Sequence, residues 1–201
     1  MMLQSDYFIK LDESIFIFLE YFGRIFKEVK LVNEEQWQEI QHEFQLAEDE
    51  KLLQFIEHSL NGSIPDKYQY VINETITEKL AKEIEKVVGF SVEGYQNKIS
   101  ASRVKHIVKR HGEDGYADNS LEDVHDIARI GYIVQNYDNL VVGKENVREY
   151  KNKDNTEAKT VVLQKRLKDE FYYIIEAVPN SAAKTLYIVS VYKNKKNTLL
   201  K

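Results

Sequence analysis

Two histidines and four cations crowd into residues 99–112, ISASRVKHIVKRHG: His106 and His111, with Arg103, Lys105, Lys109 and Arg110. Imidazole titrates near neutral pH, so two of them can take and return a proton within one reaction. Guanidinium and ammonium groups beside them suit a phosphate, arginine by paired hydrogen bonds. The combination fits binding or cleaving a phosphodiester. A helix must present it. Val104, Ile107 and Val108 follow i, i+3, i+4 spacing and give one apolar stripe, with His111 at i+7 from Val104 at the buried end. His106 and Lys109 point away from the stripe. Ser100 or Ser102 is the expected N-cap. Gly112 is expected to end the helix in the left-handed conformation.

The surrounding chain has 201 residues, 43% of them hydrophobic, enough for a sizeable core. No apolar run reaches the roughly 18 residues of a membrane span; the richest, residues 15–22, is short and broken by Glu20. The start lacks the basic and small-residue pattern of a signal peptide, which gives a cytoplasmic expectation with no membrane partner. Without cysteine there is no disulfide and no thiolate metal site. Charge is uneven. Residues 1–97 hold 9 Lys+Arg against 19 Asp+Glu, and residues 98–201 hold 19 against 14. An acidic half joined to a basic half points to two modules, and to an anionic partner for the second.

The acidic half reads as helical. Phe8, Leu11, Ile15, Leu19, Phe22, Phe26 and Val29 share a helical face, and Asn33 with Gln36 opens a second helix through Trp37, Ile40 and Phe44. Leu52, Leu53, Phe55, Ile56 and Leu60 continue to a stop at Asn61-Gly62, and a helix capped by Thr75 runs to Gly89. The module boundary is placed after residue 89, with 90–98 as a connection. Ser120 is expected to cap a helix carrying Leu121, Val124, Ile127 and Ala128, with Arg129 near its end. Beyond it, residues 160–167, 170–178 and 185–192 are rich in Val, Ile, Tyr and Phe, as strands prefer. Lys168-Asp169 reads as a tight hairpin, and 141–150 supplies a fourth strand. Helices followed by antiparallel strands make an α+β fold: an N-terminal helical bundle over 1–89, then two helices on a sheet of about four strands over 90–201.

Several pieces in order carry a family resemblance: VKHIVKRHG, then SLEDVHDIARIGYIVQNYDNL, AKTVVLQKRL, FYYIIEAVP and AKTLYIVSVYKNK. Over about residues 90–197 the chain resembles the phage-encoded nucleases of the barnase–EndoU–colicin–RelE superfamily, found as toxin modules of phage and polymorphic toxin proteins. The resemblance implies a metal-independent endoribonuclease with its site on the exposed face of a small antiparallel sheet. It also implies RNA as partner, an immunity or antitoxin protein as a second, and no cofactor.

Metal-free RNA cleavage uses the 2′-OH as nucleophile, a base to take its proton, an acid for the leaving 5′-oxygen and cations for the phosphorane. His106 and His111 are the expected acid–base pair, with either order open. Arg129, Lys184 and Thr185 are expected to join them. Lys109 and Arg110 are expected to bind phosphate, Ser190 and Tyr192 to complete the site, and Tyr173 to stack on a base. A zinc site fits poorly, because His106 and His111 do not share the i, i+4 spacing of a zinc peptidase. Two other classes remain open: an inactive RNA- or protein-binding module of the same fold, and a structural phage protein acting through its acidic helices.

Overall fold

A computed structural model describes residue 42 and residues 47–144, 146–168 and 170–195. All lie in one unit spanning residues 39–201. The helices expected over 8–29 and 33–46 fall outside the described residues, His42 excepted.

Three amphipathic helices carry the core. α1 (Glu50–Leu60) starts where the Asp49 carboxylate accepts from the N–H groups of Lys51 and Leu52, at 2.9 and 3.1 Å, and stops at Asn61. α2 (Glu78–Val88) is capped by Thr77, two residues beyond the expected Thr75, and closed by Gly89 at φ 83°. α3 (Ala101–His111) is capped by Ser100, which accepts from the Arg103 N–H at 3.2 Å. The helix expected from Ser120 is shorter and broken into α4 (His125–Ala128) and α5 (Ile130–Gln135). The Ser120 hydroxyl instead accepts from the backbone N–H of Lys193.

The sheet corrects the expectation of four antiparallel strands. Among the described residues it has seven: β1 (Gln69–Asn73), β2 (Gln96–Ser100), β3 (Asn139–Val142), β4 (Val147–Lys151), β5 (Glu157–Leu167), β6 (Glu170–Val178) and β7 (Thr185–Asn194). The order is β1-β2-β7-β6-β5-β3, with β4 on β5 as well. It is mixed, because β2 runs parallel to β7 while the other pairs are antiparallel. Leu167 pairs with Glu170 across the expected hairpin, where Lys168 has φ 52°. The single strand expected over 141–150 is two strands on successive parts of the β5 edge. β1 arises from a stretch that carries no expected element, and β2 begins inside the expected connection 90–98. β2 buries Asn97 as well as Ile99: Asn97 donates to Glu176 Oε1 at 2.7 Å and accepts from Asn73 at 3.3 Å. At Asn97 hydrogen bonding thus takes the place of one apolar position in the alternation that marks a strand in sequence.

Alternation divides the sheet into two faces. Val161, Leu163, Tyr172, Ile174, Ile188 and Val191 pack with Leu52, Ile56, Leu80, Ile84, Val104, Ile107, Ile127 and Ile133 in one core. Elements from both sides of residue 89 therefore share one sheet and one core. The opposite face carries Thr160, Val162, Tyr173, Ile175, Tyr187, Ser190 and Tyr192. A bulge between Ile175 and Glu176 leaves Val189 without a strand partner in the register, next to Ser190. None of the described helices is long and apolar enough to cross a membrane.

Candidate active site

A cavity of about 660 Å³ lies on that second face, between β7, β5, the end of α3 and the β3–β4 connection. His106, Arg110 and His111 line it from α3, and Ser190 and Tyr192 from β7. Five of the sequence-designated residues thus meet in one place. Arg103, Asp118, Lys144 and Arg148, none of them designated for the site, line it too.

His111 is the best-fixed of these groups. It is the last residue of α3 and only 5% exposed. Its Nδ1 lies 2.9 Å from each oxygen of the Asp118 carboxylate, and its Nε2 lies 3.1 Å from Ser190 Oγ. The carboxylate accepts only, so Nδ1 donates, and in the neutral ring Nε2 is left to accept the Ser190 proton. The ring also stacks on Tyr192 with centroids 5.6 Å apart, and Tyr192 stacks on Tyr173 at 4.9 Å.

The loop after α3 brings Asp118 back to this ring. Gly115 makes the tight return possible: a Cβ there would sit 2.2 Å from the Asp118 carbonyl oxygen and 2.5 Å from that of Arg110. Gly112 ends the helix as expected but with φ −69°, in extended backbone and not in the left-handed region. Glycine is required there by clearance, since a Cβ would lie 2.6 Å from the Val108 carbonyl oxygen. Partial burial works against ionisation of Asp118, but hydrogen bonds from Ser120 and His111 outweigh it and hold the carboxyl below its ordinary value. Its charge therefore persists at neutral pH.

His106 is half-buried and has no hydrogen-bond partner among the described residues. Desolvation, followed by the charges of Arg103 and Arg110, holds its pKa below the ordinary histidine value. Its neutral form, with a free lone pair, dominates at neutral pH. The cations differ in freedom. Arg103 is ion-paired to Glu149, tying α3 to β4, and Arg148 to Glu157 at 3.2 Å. Arg110 and Lys144 are exposed and have no ion-pair partner among the described residues. Asp118 is the only acid lining the cavity within the described residues, so the space is net positive. No group of three or more His, Asp or Glu among those residues is placed to hold a metal ion.

Five designated residues are elsewhere. Arg129 is 4% exposed on the helix-covered face, paired with Asp126 at 2.8 Å and with Glu48. Lys184 lines a different pocket, at the start of β7. Thr185 is fully buried and donates its hydroxyl proton to the Ala183 carbonyl at 2.8 Å. Tyr173 is fully buried beneath Tyr192, so its ring offers no open face to a base. Lys109 is exposed on α3 but does not line the cavity. Asp118 escaped the sequence reading because it lies in a polar loop, EDGYADNS, where one carboxylate looks like another.

Residues 74–201 match the model of a family described as phage-Barnase-EndoU-ColicinE5/D-RelE like nuclease3. The chain belongs to this nuclease family. The match covers α2 and everything after it, and so begins earlier than the resemblance read from the sequence. Neither the curated proteins nor the solved structures compared with the chain give a match. Nuclease-type function thus follows from family membership. In this nuclease the cavity holding His106, His111, Asp118 and Ser190 is the candidate active site.

Proposed function

We propose that the chain is an endoribonuclease cleaving RNA without a metal ion, with His106 as general base and His111 as general acid. His106 Nδ1 or Nε2 takes the proton of a ribose 2′-OH. The 2′-oxygen forms a bond to phosphorus, the bond from phosphorus to the 5′-oxygen breaks, and His111, entering the step with a proton on both ring nitrogens, gives its Nε2 proton to that oxygen and is left as the neutral ring with its proton on Nδ1. The products are a 2′,3′-cyclic phosphate and a 5′-hydroxyl. Cations around a neutral His106 favour the base role. The Asp118 carboxylate on His111 Nδ1 offsets the charge of a protonated ring and fixes its direction, the part a carboxylate plays behind a catalytic imidazole. Arg110 and Lys144, paired with no acid among the described residues, bind the phosphate and counter charge building on its oxygens. Ser190 holds Nε2 until substrate arrives and then hydrogen-bonds a phosphate oxygen.

The observation that carries this reading is the meeting of both imidazoles with unpaired cations in a single cavity, one imidazole held by carboxylate and hydroxyl. The test is incubation of the full chain with a short RNA in excess EDTA. Cleavage to 2′,3′-cyclic ends is expected, and one 2′-deoxyribose at the cut site should block it. Cleavage of the deoxy-substituted position, or dependence on added divalent metal, would overturn the mechanism.

A further inference from the structure

A second pocket lies at the other end of the same strands. It has a volume of about 530 Å³ and is lined by Ser91, Glu93, Gly94, Lys153, Asn180 and Lys184, among others. Its walls are fixed by backbone. Lys153 N–H donates to the Asn180 carbonyl at 2.9 Å, Asn180 N–H to Asn152 Oδ1 at 2.7 Å, and Gln96 N–H to the Lys184 carbonyl at 3.0 Å. Two lysines converge on it, and neither ammonium has a hydrogen-bond or ion-pair partner among the described residues. Lys184 stands at φ 46°, a conformation that Gly or Asn adopts with less strain. A long cationic side chain is thus held at a strained turn without an ion-pair partner among the described residues. Glu93 is the one acid of the lining and forms no ion pair with either lysine.

The placement of this pocket relative to the cavity is informative. β7 carries Lys184 just before its start and Ser190 and Tyr192 towards its end. β4 carries Val147 and Arg148 at the cavity, and Lys153 just beyond its other end, at the second pocket. Between the two ends Tyr150 of β4 stacks on Tyr187 of β7, centroids 4.2 Å apart and nearly parallel at 8°. The strands therefore lap each other, with one pocket at each end. Ser190 lies six positions after Lys184, a span of about 20 Å at strand rise. That is the reach of a few nucleotides of single strand.

We propose that Lys153 and Lys184, unpaired at the far end of the β4–β7 lap, form a second phosphate-binding subsite for the RNA strand whose scissile phosphate lies in the His106–His111 cavity. The subsite rests on the RNA-cleaving reading and extends it. The enzyme then gains affinity with substrate length, because a dinucleotide fills only the cavity and a longer strand also reaches the lysines. Each neutralised phosphate adds to the salt dependence of binding.

The experiment uses the full chain with Lys153→Ala and Lys184→Asn combined; asparagine tolerates the positive φ, and equal melting temperatures establish equal folding. Fluorescence anisotropy measures binding of 2′-O-methyl RNA, which cannot be cleaved, as a dinucleotide and as an octanucleotide. Cleavage of an ordinary dinucleotide is followed in parallel. The expected result is an octanucleotide affinity about tenfold weaker in the double variant, with a salt slope lower by about 1 to 2. Dinucleotide binding and cleavage should be unchanged. Unaltered octanucleotide affinity, beside intact dinucleotide cleavage, would overturn the subsite alone. Lysine-dependent octanucleotide binding without any cleavage would support the subsite and overturn the catalytic reading.

Discussion

The two faces of the sheet differ in how much of their charge is committed: the cavity face has paired cations too, Arg103 with Glu149 and Arg148 with Glu157, but also open ones. On the helix-covered face Arg129 and Lys193 are almost fully buried and each is matched: Arg129 with Asp126 and Glu48, Lys193 with Asp126 at 3.1 Å and Glu170 at 2.8 Å. On the cavity face Arg110, Lys144 and His106 have room in front of them and no partner among the described residues. Residue type therefore says little about role. A paired, buried arginine holds elements together, because removing it strands the acids left behind. An unpaired arginine beside a cavity leaves its hydrogen bonds for a ligand. Arg129 and Arg110, which look equally suited to phosphate in the sequence, fall on opposite sides of this division.

Four substitutions sharpen or break that contrast. The largest expected effect is on His111. His111→Ala should lower the RNA cleavage rate by about 10²–10⁴, the usual worth of a positioned proton-transfer group, while the chain still folds. Arg129→Met should do the reverse. It removes one of the two cations on Asp126, leaving Lys193, and leaves Glu48 with His125 alone, so it should cost up to about 3 kcal/mol in urea unfolding, while the protein that remains folded keeps its cleavage rate. A rate loss in folded Arg129→Met would move the arginine back into the site.

Glu176 gives the next effect, on stability against pH. It is fully buried, with Oε1 accepting from Asn97 and Oε2 unpartnered, and burial pushes its pKa up to about 8. The unfolded chain releases this proton near the ordinary carboxylate pKa, and the folded chain holds it to about 8. Stability from this group is therefore full below the ordinary value and falls as pH rises towards 8. Glu176→Gln should flatten thermal stability across that window, and an unchanged profile would mean the acid is not buried protonated. The smallest effect concerns His106. With its pKa held low, the acidic limb of kcat/KM should lie below the ordinary histidine value, and Arg110→Gln should shift it upward by a fraction of a unit. A limb unmoved by Arg110→Gln would point to another base.

The same division explains what the sequence showed. The α3 segment was legible because its apolar stripe, serine cap and closing glycine agree with one another, and His106, Arg110 and His111 are placed by that one helix. The hairpin of β5 and β6 was legible because long β-branched and aromatic runs flank a two-residue turn. β1 and β2 were not, since five-residue strands with Gln, Asn and Lys carry no alternation, and the partners satisfying Asn97 lie 24 and 79 residues away. For the site, residues local to α3 came together, while Asp118 depended on a loop return and Lys144 on a strand pairing invisible in one dimension. Arg129, Lys184 and Thr185 were drawn in by type alone, and type carries no information on which face or end of a sheet a residue occupies.

The measurement that bears most directly on a catalytic cavity face is RNA cleavage by His111→Ala beside the parent chain, both shown to be equally folded by circular dichroism and melting. Loss of at least about a hundredfold in rate, with RNA affinity largely kept, is what a general acid at this position requires. An undiminished rate in the folded variant would contradict the assignment and leave the cavity as a binding site only.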